Sequence, residues 1–240
     1  MKNSDQIHLC KSCGYSGEGN YCSNCGQTFA TKRISIKGLL QDIFHFITHL
    51  EKGFGYTIKQ LIIAPGHMQR TYIEGNRIKH QKPFSMFFIC LTITALVRYW
   101  ISNALIKFYH ADMISEANFF HQYMVIMYIV LLPVYSLMAY LFFYKSGNNY
   151  AEIGVMMLYT LSFMFLMSSV ISLLILIWPR IDTLYIEFPI FTFYFIVTFT
   201  NYYKAVPRWQ VIIKSILVMT IAFFINDTIE DFVIRLISKS

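Results

Sequence analysis

Residues 123–144 read YMVIMYIVLLPVYSLMAYLFFY, twenty-two positions without a formal charge. A helix needs about 20 apolar residues to cross roughly 30 Å of hydrocarbon, so this stretch is long enough to span a bilayer. A single segment can do so only as a helix, because its backbone N–H and C=O groups find no water there. Four further runs, 84–104, 153–178, 183–203 and 210–226, have the same character. Pro133 removes a backbone donor and is expected to kink the second span. The third run exceeds what a vertical helix needs, so it should tilt or extend into the cytosol. Lys214 interrupts the fifth.

Composition agrees. Of 240 residues, 56% are hydrophobic and 14% charged, against about 25% charged in soluble proteins. The mean hydropathy is +0.48. One soluble core of this size could not bury so much apolar surface, which excludes an ordinary cytosolic enzyme. Disorder is excluded over most of the chain for the same reason.

Lys and Arg total 20 against 13 Asp and Glu. With the N-terminus inside, fifteen of those cations fall on the cytosolic side and four outside, with Arg98 within a span. The outer segments carry Asp112, Glu116, Asp182, Glu187, Asp227, Glu230 and Asp231. This positive-inside bias predicts a cytosolic N-terminus and, after five spans, an external C-terminus. The first eight residues are polar and no apolar run follows them, so no secretory signal is visible. The expected divisions are 1–28, Cys-rich; 29–83, amphipathic and basic; 84–226, the membrane bundle; and 227–240, a short charged tail.

Within the first division, Cys10-Lys-Ser-Cys13-Gly14 is followed by Cys22-Ser-Asn-Cys25-Gly26. Two C-x-x-C knuckles aim four thiolates at one point, which suits tetrahedral Zn²⁺. Cytosolic thiols stay reduced, which disfavours a disulfide pair. About 28 residues cannot build a core unaided, so the zinc is expected to be structural and to supply folding energy. Four cysteines close the site to substrate. Lys2 and Lys11 balance Asp5 and Glu18, leaving no basic footprint for nucleic acid. Cys90, alone in the first span, reads as an apolar filler.

From Ile36 to Leu50 the apolar residues recur at helical spacing, with Lys37, Gln41, His45, Thr48 and Lys52 on the opposite face. Ser35 is a candidate N-cap. A second short helix is expected over 54–63, ended by Pro65-Gly66. Both suit the inner membrane interface or the flank of the bundle. His45 and His49 share a face, but without a third ligand they read as polar-face histidines.

A third short helix, 68–74, should stop at Gly75. Arg70, Arg77, Lys79 and Lys82 outweigh Glu74 just before the first span. The plain reading is a topology signal that meets anionic headgroups at the inner face. The sharper one is an anion site in which Arg70 and Arg77 grip a phosphate or carboxylate beside Tyr72.

The order of these features resembles the bacterial family called domain of unknown function 3667. The resemblance rests on Tyr21-Cys-x-x-Cys-Gly-Gln27, on Pro65-Gly-x-x-x-Arg-x-Tyr-Ile-x-Gly-x-Arg77, and on Pro83 before the first span. It covers roughly residues 10–90. It implies a bacterial inner-membrane setting and singles out Arg70, Tyr72, Gly75, Arg77 and Pro83. It implies no activity.

Arg98 lies in the outer half of the first span. It is expected to snorkel outward or to pair with Asp112, Asp182 or Asp227. Lys214 should snorkel to the inner face. No G-x-S-x-G, P-loop, H-E-x-x-H or dinucleotide fingerprint is present, and no acid–base pair can be named. The fold class expected is therefore an all-α membrane protein, a bundle of about five transmembrane helices with a small N-terminal cytosolic zinc ribbon. Three functions compete. One is a membrane scaffold or adaptor whose ribbon docks a cytosolic protein. The second is a lipid-handling or small-solute transport protein that binds an anionic group. The third, a membrane-embedded transferase, is the least supported.

Overall fold

The computed structural model describes residues 7–38, 53–109, 119–178, 181 and 183–239. The chain opens with a two-stranded antiparallel ribbon. β1 (His8–Leu9) pairs with β2 (Ser16–Gly17), His8 opposite Gly17 and Leu9 opposite Ser16. An isolated bridge joins Tyr21 and Thr28. The amphipathic helix expected from Ile36 lies, beyond Gly38, outside the described residues, as do His45 and His49.

Two short helices form a corner below the bundle: α1 (Phe54–Ile63) and α2 (His67–Glu74). Their apolar positions explain where they sit. Leu61, Met68 and Tyr72 are buried in the same core as the membrane helices, while Ile62 and Ile63 face outward. Pro65 and Gly66 turn the chain between them.

The bundle follows: α3 (Pro83–Tyr109), α4 (Met124–Phe143), α5 (Tyr150–Ser172), the one-turn α6 (Leu174–Ile177), α7 (Leu184–Tyr202) and α8 (Arg208–Lys239). A π-helical turn, Phe119–Tyr123, leads into α4. Five helices among the described residues are long and apolar enough to cross a membrane. This is an all-α, multi-pass membrane protein with a small ribbon at its N-terminus.

α5 is the axis. It packs on α3, α4 and α7 and receives the corner helices α1 and α2. Some of its buried hydroxyls are satisfied within the helix: Thr160 donates to Met156 O at 2.8 Å and Ser172 to Ser168 O at 2.7 Å. A polar group in hydrocarbon needs such internal partners. Small hydroxylated residues also let neighbours approach closely. Thr94 of α3 uses this approach, donating to Phe165 O at 2.8 Å and accepting from Ser169 Oγ at 2.9 Å.

The third candidate span, Tyr150–Ile177, contains a break at Leu173 between α5 and α6. The charged residues from Asp227, expected as a short tail, continue α8. Ile229, Val233 and Ile237 recur at i, i+4 and i+8 and pack on the core, which carries the helix through the acidic residues. At 1.5 Å per residue α8 is about 48 Å long, well beyond the hydrocarbon thickness.

Gly66 locks the corner to α7. Its φ is +82°, and a Cβ there would strike the Thr198 carbonyl and lie 2.7 Å from Asn201 Cβ. Asn201 Nδ2 also donates to Pro65 O at 2.9 Å. Gly147 has the same φ of +82° but open space around it. Gly147→Ala should therefore cost only the left-handed backbone term, about 1–2 kcal/mol. Gly66→Ala should cost at least about 2 kcal/mol more, because backbone blocks it. Thermal unfolding of both variants in one detergent checks this; equal losses would remove the close approach as the cause.

Candidate functional site

The four cysteines converge. The two knuckles share one backbone pattern: Gly14 N donates to Cys10 O and Gly26 N to Cys22 O, at 2.9 and 2.8 Å. Each loop closes with a second bond, Cys10 N to Tyr15 O and Cys22 N to Gln27 O. Gly14 and Gly26 both adopt positive φ, +73° and +75°, which lets each chain fold back around its thiols.

All four sulfurs lie within 4.8 Å of one another, and the pairs Cys10–Cys25 and Cys13–Cys22 are 3.5 Å apart. A tetrahedral Zn–S bond of about 2.3 Å implies S···S edges of about 3.8 Å, so the donor set fits the ion. No disulfide joins them. A backbone hydrogen bond from Tyr15 lowers the Cys13 thiol to about 6. The Gln27 amide acts the same way on Cys25, but burial and the other three thiols raise it to about 12.

The ribbon is fastened to the bundle. Lys11 Nζ donates to Glu74 O at 3.2 Å, and Arg77 Nη2 to Lys32 O at 3.0 Å. The strongest tie is Arg33, whose Nε and Nη2 grip both oxygens of Glu152 at 2.6 and 3.0 Å. Nη2 also reaches Gly147 O at 3.0 Å. Glu152 is 6% exposed at the first turn of α5. There it forms a reciprocal cap with Asn149: Asn149 N donates to Glu152 Oε2, and Glu152 N to Asn149 Oδ1. Asn149 Nδ2 completes the seam, donating to Ile34 O at 3.0 Å. The neighbouring carboxylate raises the Arg33 pKa.

The basic segment is spread over several tasks. Arg70 pairs with Glu74 at 2.8 Å, one helical turn away. Tyr72 is buried edge-on against His80 and Tyr159, at 6.2 and 5.3 Å between ring centroids. Arg77 lies 5.7 Å from the Tyr72 ring and donates to Tyr72 O at 3.2 Å. Tyr72 and Arg77 are thus brought together, while Arg70 is held separately. Lys79 is exposed and Lys82 half-buried.

At the end of the bundle away from the ribbon is a cavity of about 580 Å³. Arg98 enters it from α3 and, rather than snorkelling, pairs with a carboxylate other than the three expected: Asp227 is not its hydrogen-bond partner, and Asp112 and Asp182 lie outside the described residues. Its Nη2 donates to Glu187 Oε1 at 2.6 Å and to Ser168 Oγ at 2.7 Å. Ser168 Oγ in turn donates to Glu187 at 3.1 Å. The pair is largely buried, with side chains 20% and 12% exposed. Leaving one such charge alone costs about 3–5 kcal/mol, which explains why Arg98 takes a carboxylate partner. Arg98 Nε is buried with no hydrogen-bond partner among the described residues. Lys214, by contrast, sits 5.5 Å from the Phe143 ring.

Two measurements follow from these sites. The purified protein should carry one metal per chain by elemental mass spectrometry, lost in Cys10→Ser and in Cys25→Ser with helical circular dichroism retained. Acid should release it, since the ligands must be thiolates. His80, 5% exposed between Tyr56 and Tyr72, is pushed down to about 4 by burial, with Lys79 adding to the shift. Its unfolded form takes up a proton near pH 6.5, so stability should fall as pH drops from about 6.5 to about 4. His80→Gln should flatten that slope; an unchanged slope would assign the acid sensitivity elsewhere.

Residues 51–95 match the family described as Protein of unknown function (DUF3667). That stretch contains α1, α2 and the first half of α3. The four cysteines lie outside it, so the resemblance is narrower than the sequence features from residue 10 onward imply. No curated protein and no solved structure matches the chain. Within 51–95 fall Gly66, Tyr72, Gly75 and Arg77, which hold the corner against α7, α5 and the ribbon linker. Over these residues, the chain resembles that family.

Proposed function

We propose that this is a bacterial inner-membrane protein that binds an amphiphilic small molecule in the cavity at the external end of its bundle. The cavity carries the reading: about 580 Å³ is the size of a small-molecule site, and its walls are mostly apolar with a few polar groups, Arg98, Ser168 and Glu187 among them. The N-terminal ribbon, held by Zn²⁺ on Cys10, Cys13, Cys22 and Cys25, is a fixed cap on the cytosolic face. The charge bias supports that orientation. The ion supplies folding energy; Arg33, Lys11 and Asn149 fix the cap in place. Arg70, Lys79 and Lys82 face anionic headgroups at the inner interface.

The adaptor reading keeps one supporting observation. Ile7, Leu9, Tyr15 and Tyr21 of the ribbon are exposed, and they offer a cytosolic protein an apolar surface.

Native mass spectrometry of the protein in a mild detergent separates the two. A retained small amphiphile, displaced in a cavity-filling Ala222→Trp variant that unfolds within a few degrees of wild type, supports the ligand-binding reading. A retained species indifferent to Ala222→Trp defeats it. A stoichiometric protein partner lost in Tyr21→Ala establishes the adaptor instead.

A further inference from the structure

We infer that a second, smaller site at the ribbon end of the bundle binds a phosphate group. It is a cleft of about 160 Å³ where α2, the turn after α4 and the end of α7 meet. Sites for drug-sized ligands enclose roughly 300–1,000 Å³, so this one has room for a small polar group and little more. The cleft does not draw on the cavity at the far end, and either reading can fail alone.

The polar groups around it are donors with bonds to spare. Arg70 gives only its Nε to Glu74, and its two Nη groups have no hydrogen-bond partner among the described residues. Lys204, just past α7, is exposed and forms no ion pair among the described residues. Asn148 Nδ2 donates to the Tyr202 hydroxyl at 2.8 Å, so the Tyr202 proton points elsewhere, and no acceptor for it is found among the described residues. The sequence suggested Arg77 as the partner of Arg70 in gripping an anion; the fold sets Lys204 beside the same cleft instead.

A second observation points into the same space. Tyr203 lines the cleft, is 4% exposed, and is held by stacking on Phe143 at 4.5 Å between ring centroids. Its buried hydroxyl, beside Ser146, has no hydrogen-bond partner among the described residues. A buried hydroxyl normally finds a partner. Ser146 spends its own proton on Asn148 Oδ1 at 3.3 Å. A guanidinium, an ammonium and two phenols all donate, and a phosphate dianion only accepts. Four donor groups exceed the two oxygens of a carboxylate, whereas a phosphate monoester presents three free oxygens. The acids nearby leave these donors available: Glu74 is largely exposed and holds only the Arg70 Nε, and Glu152 is clamped by Arg33.

Titration calorimetry with inorganic phosphate, on the full-length protein in an uncharged detergent at constant ionic strength, tests the site. One phosphate per chain should bind, at least about tenfold tighter than acetate. Lys204→Gln and Tyr203→Phe should each weaken it about five- to tenfold, with thermal unfolding within a few degrees of wild type. Glu74→Gln should tighten it, because Arg70 no longer shares its charge, and misfolding could not produce a gain. Lys79→Gln, which removes a cation outside the cleft, should leave it unchanged. Dioctanoylphosphatidic acid binding at least about tenfold tighter than phosphate, with the same loss in Lys204→Gln, would identify the source as a lipid headgroup. Equal affinities would identify it as a free phosphate. Phosphate no tighter than acetate, saturable binding of neither phosphate nor dioctanoylphosphatidic acid, or equal effects of Lys204→Gln and Lys79→Gln would overturn the site.

Discussion

A carboxylate at the first turn of a buried membrane helix must be neutralised or it will not stay. Glu152 meets that demand four ways: the helix N-terminus favours its charge, the Asn149 amide donates to it, Asn148 approaches it, and Arg33 clamps both its oxygens. Because Arg33 comes from the linker just behind the ribbon, neutralising α5 and fastening the ribbon are one event. Asn149 doubles the seam by bonding Ile34 O. The corner helices then close the remaining face, with Gly66 against α7 and Tyr72 against Tyr159 of α5.

The far end of the bundle repeats the chemistry with space beside it. Near the ribbon, Arg33 and Glu152 satisfy each other with backbone partners to spare. At the cavity, Arg98 bonds Glu187 and Ser168 beside about 580 Å³ of volume. The first arrangement is closed and architectural. The second leaves room beside its ion pair.

Hydropathy made the five spans legible, since each needs a length of apolar chain that little else produces. The cysteine spacing made the ribbon legible because two equal knuckles share one target. Arg98 was visible as an intramembrane charge, but its partner was not. Glu187 read as an outer-loop acid, and only the start of α7 at Leu184 carries it inward to meet α3. Arg33 counted as one cation among eleven before the first span. Asn149-x-x-Glu152 is a capping signature, yet nothing local says that its acid takes a partner 119 residues away. Arg70 and Arg77 looked alike in sequence; one bonds within its own helix and the other reaches backbone carbonyls across the linker. The last turns of α8 read as a tail because their charges hide an apolar stripe.

That 119-residue separation has a consequence for biosynthesis. Arg33 leaves the ribosome long before Glu152 exists. At about 5–20 residues per second, the interval is on the order of 6–24 s. The ribbon's cysteines are therefore complete and able to take metal while the first two spans are still entering the membrane. Its anchorage forms only when α5 follows. During that time the N-terminal module has no tie to α5, and an ion on its four thiols, which the cluster could hold, would be its own support.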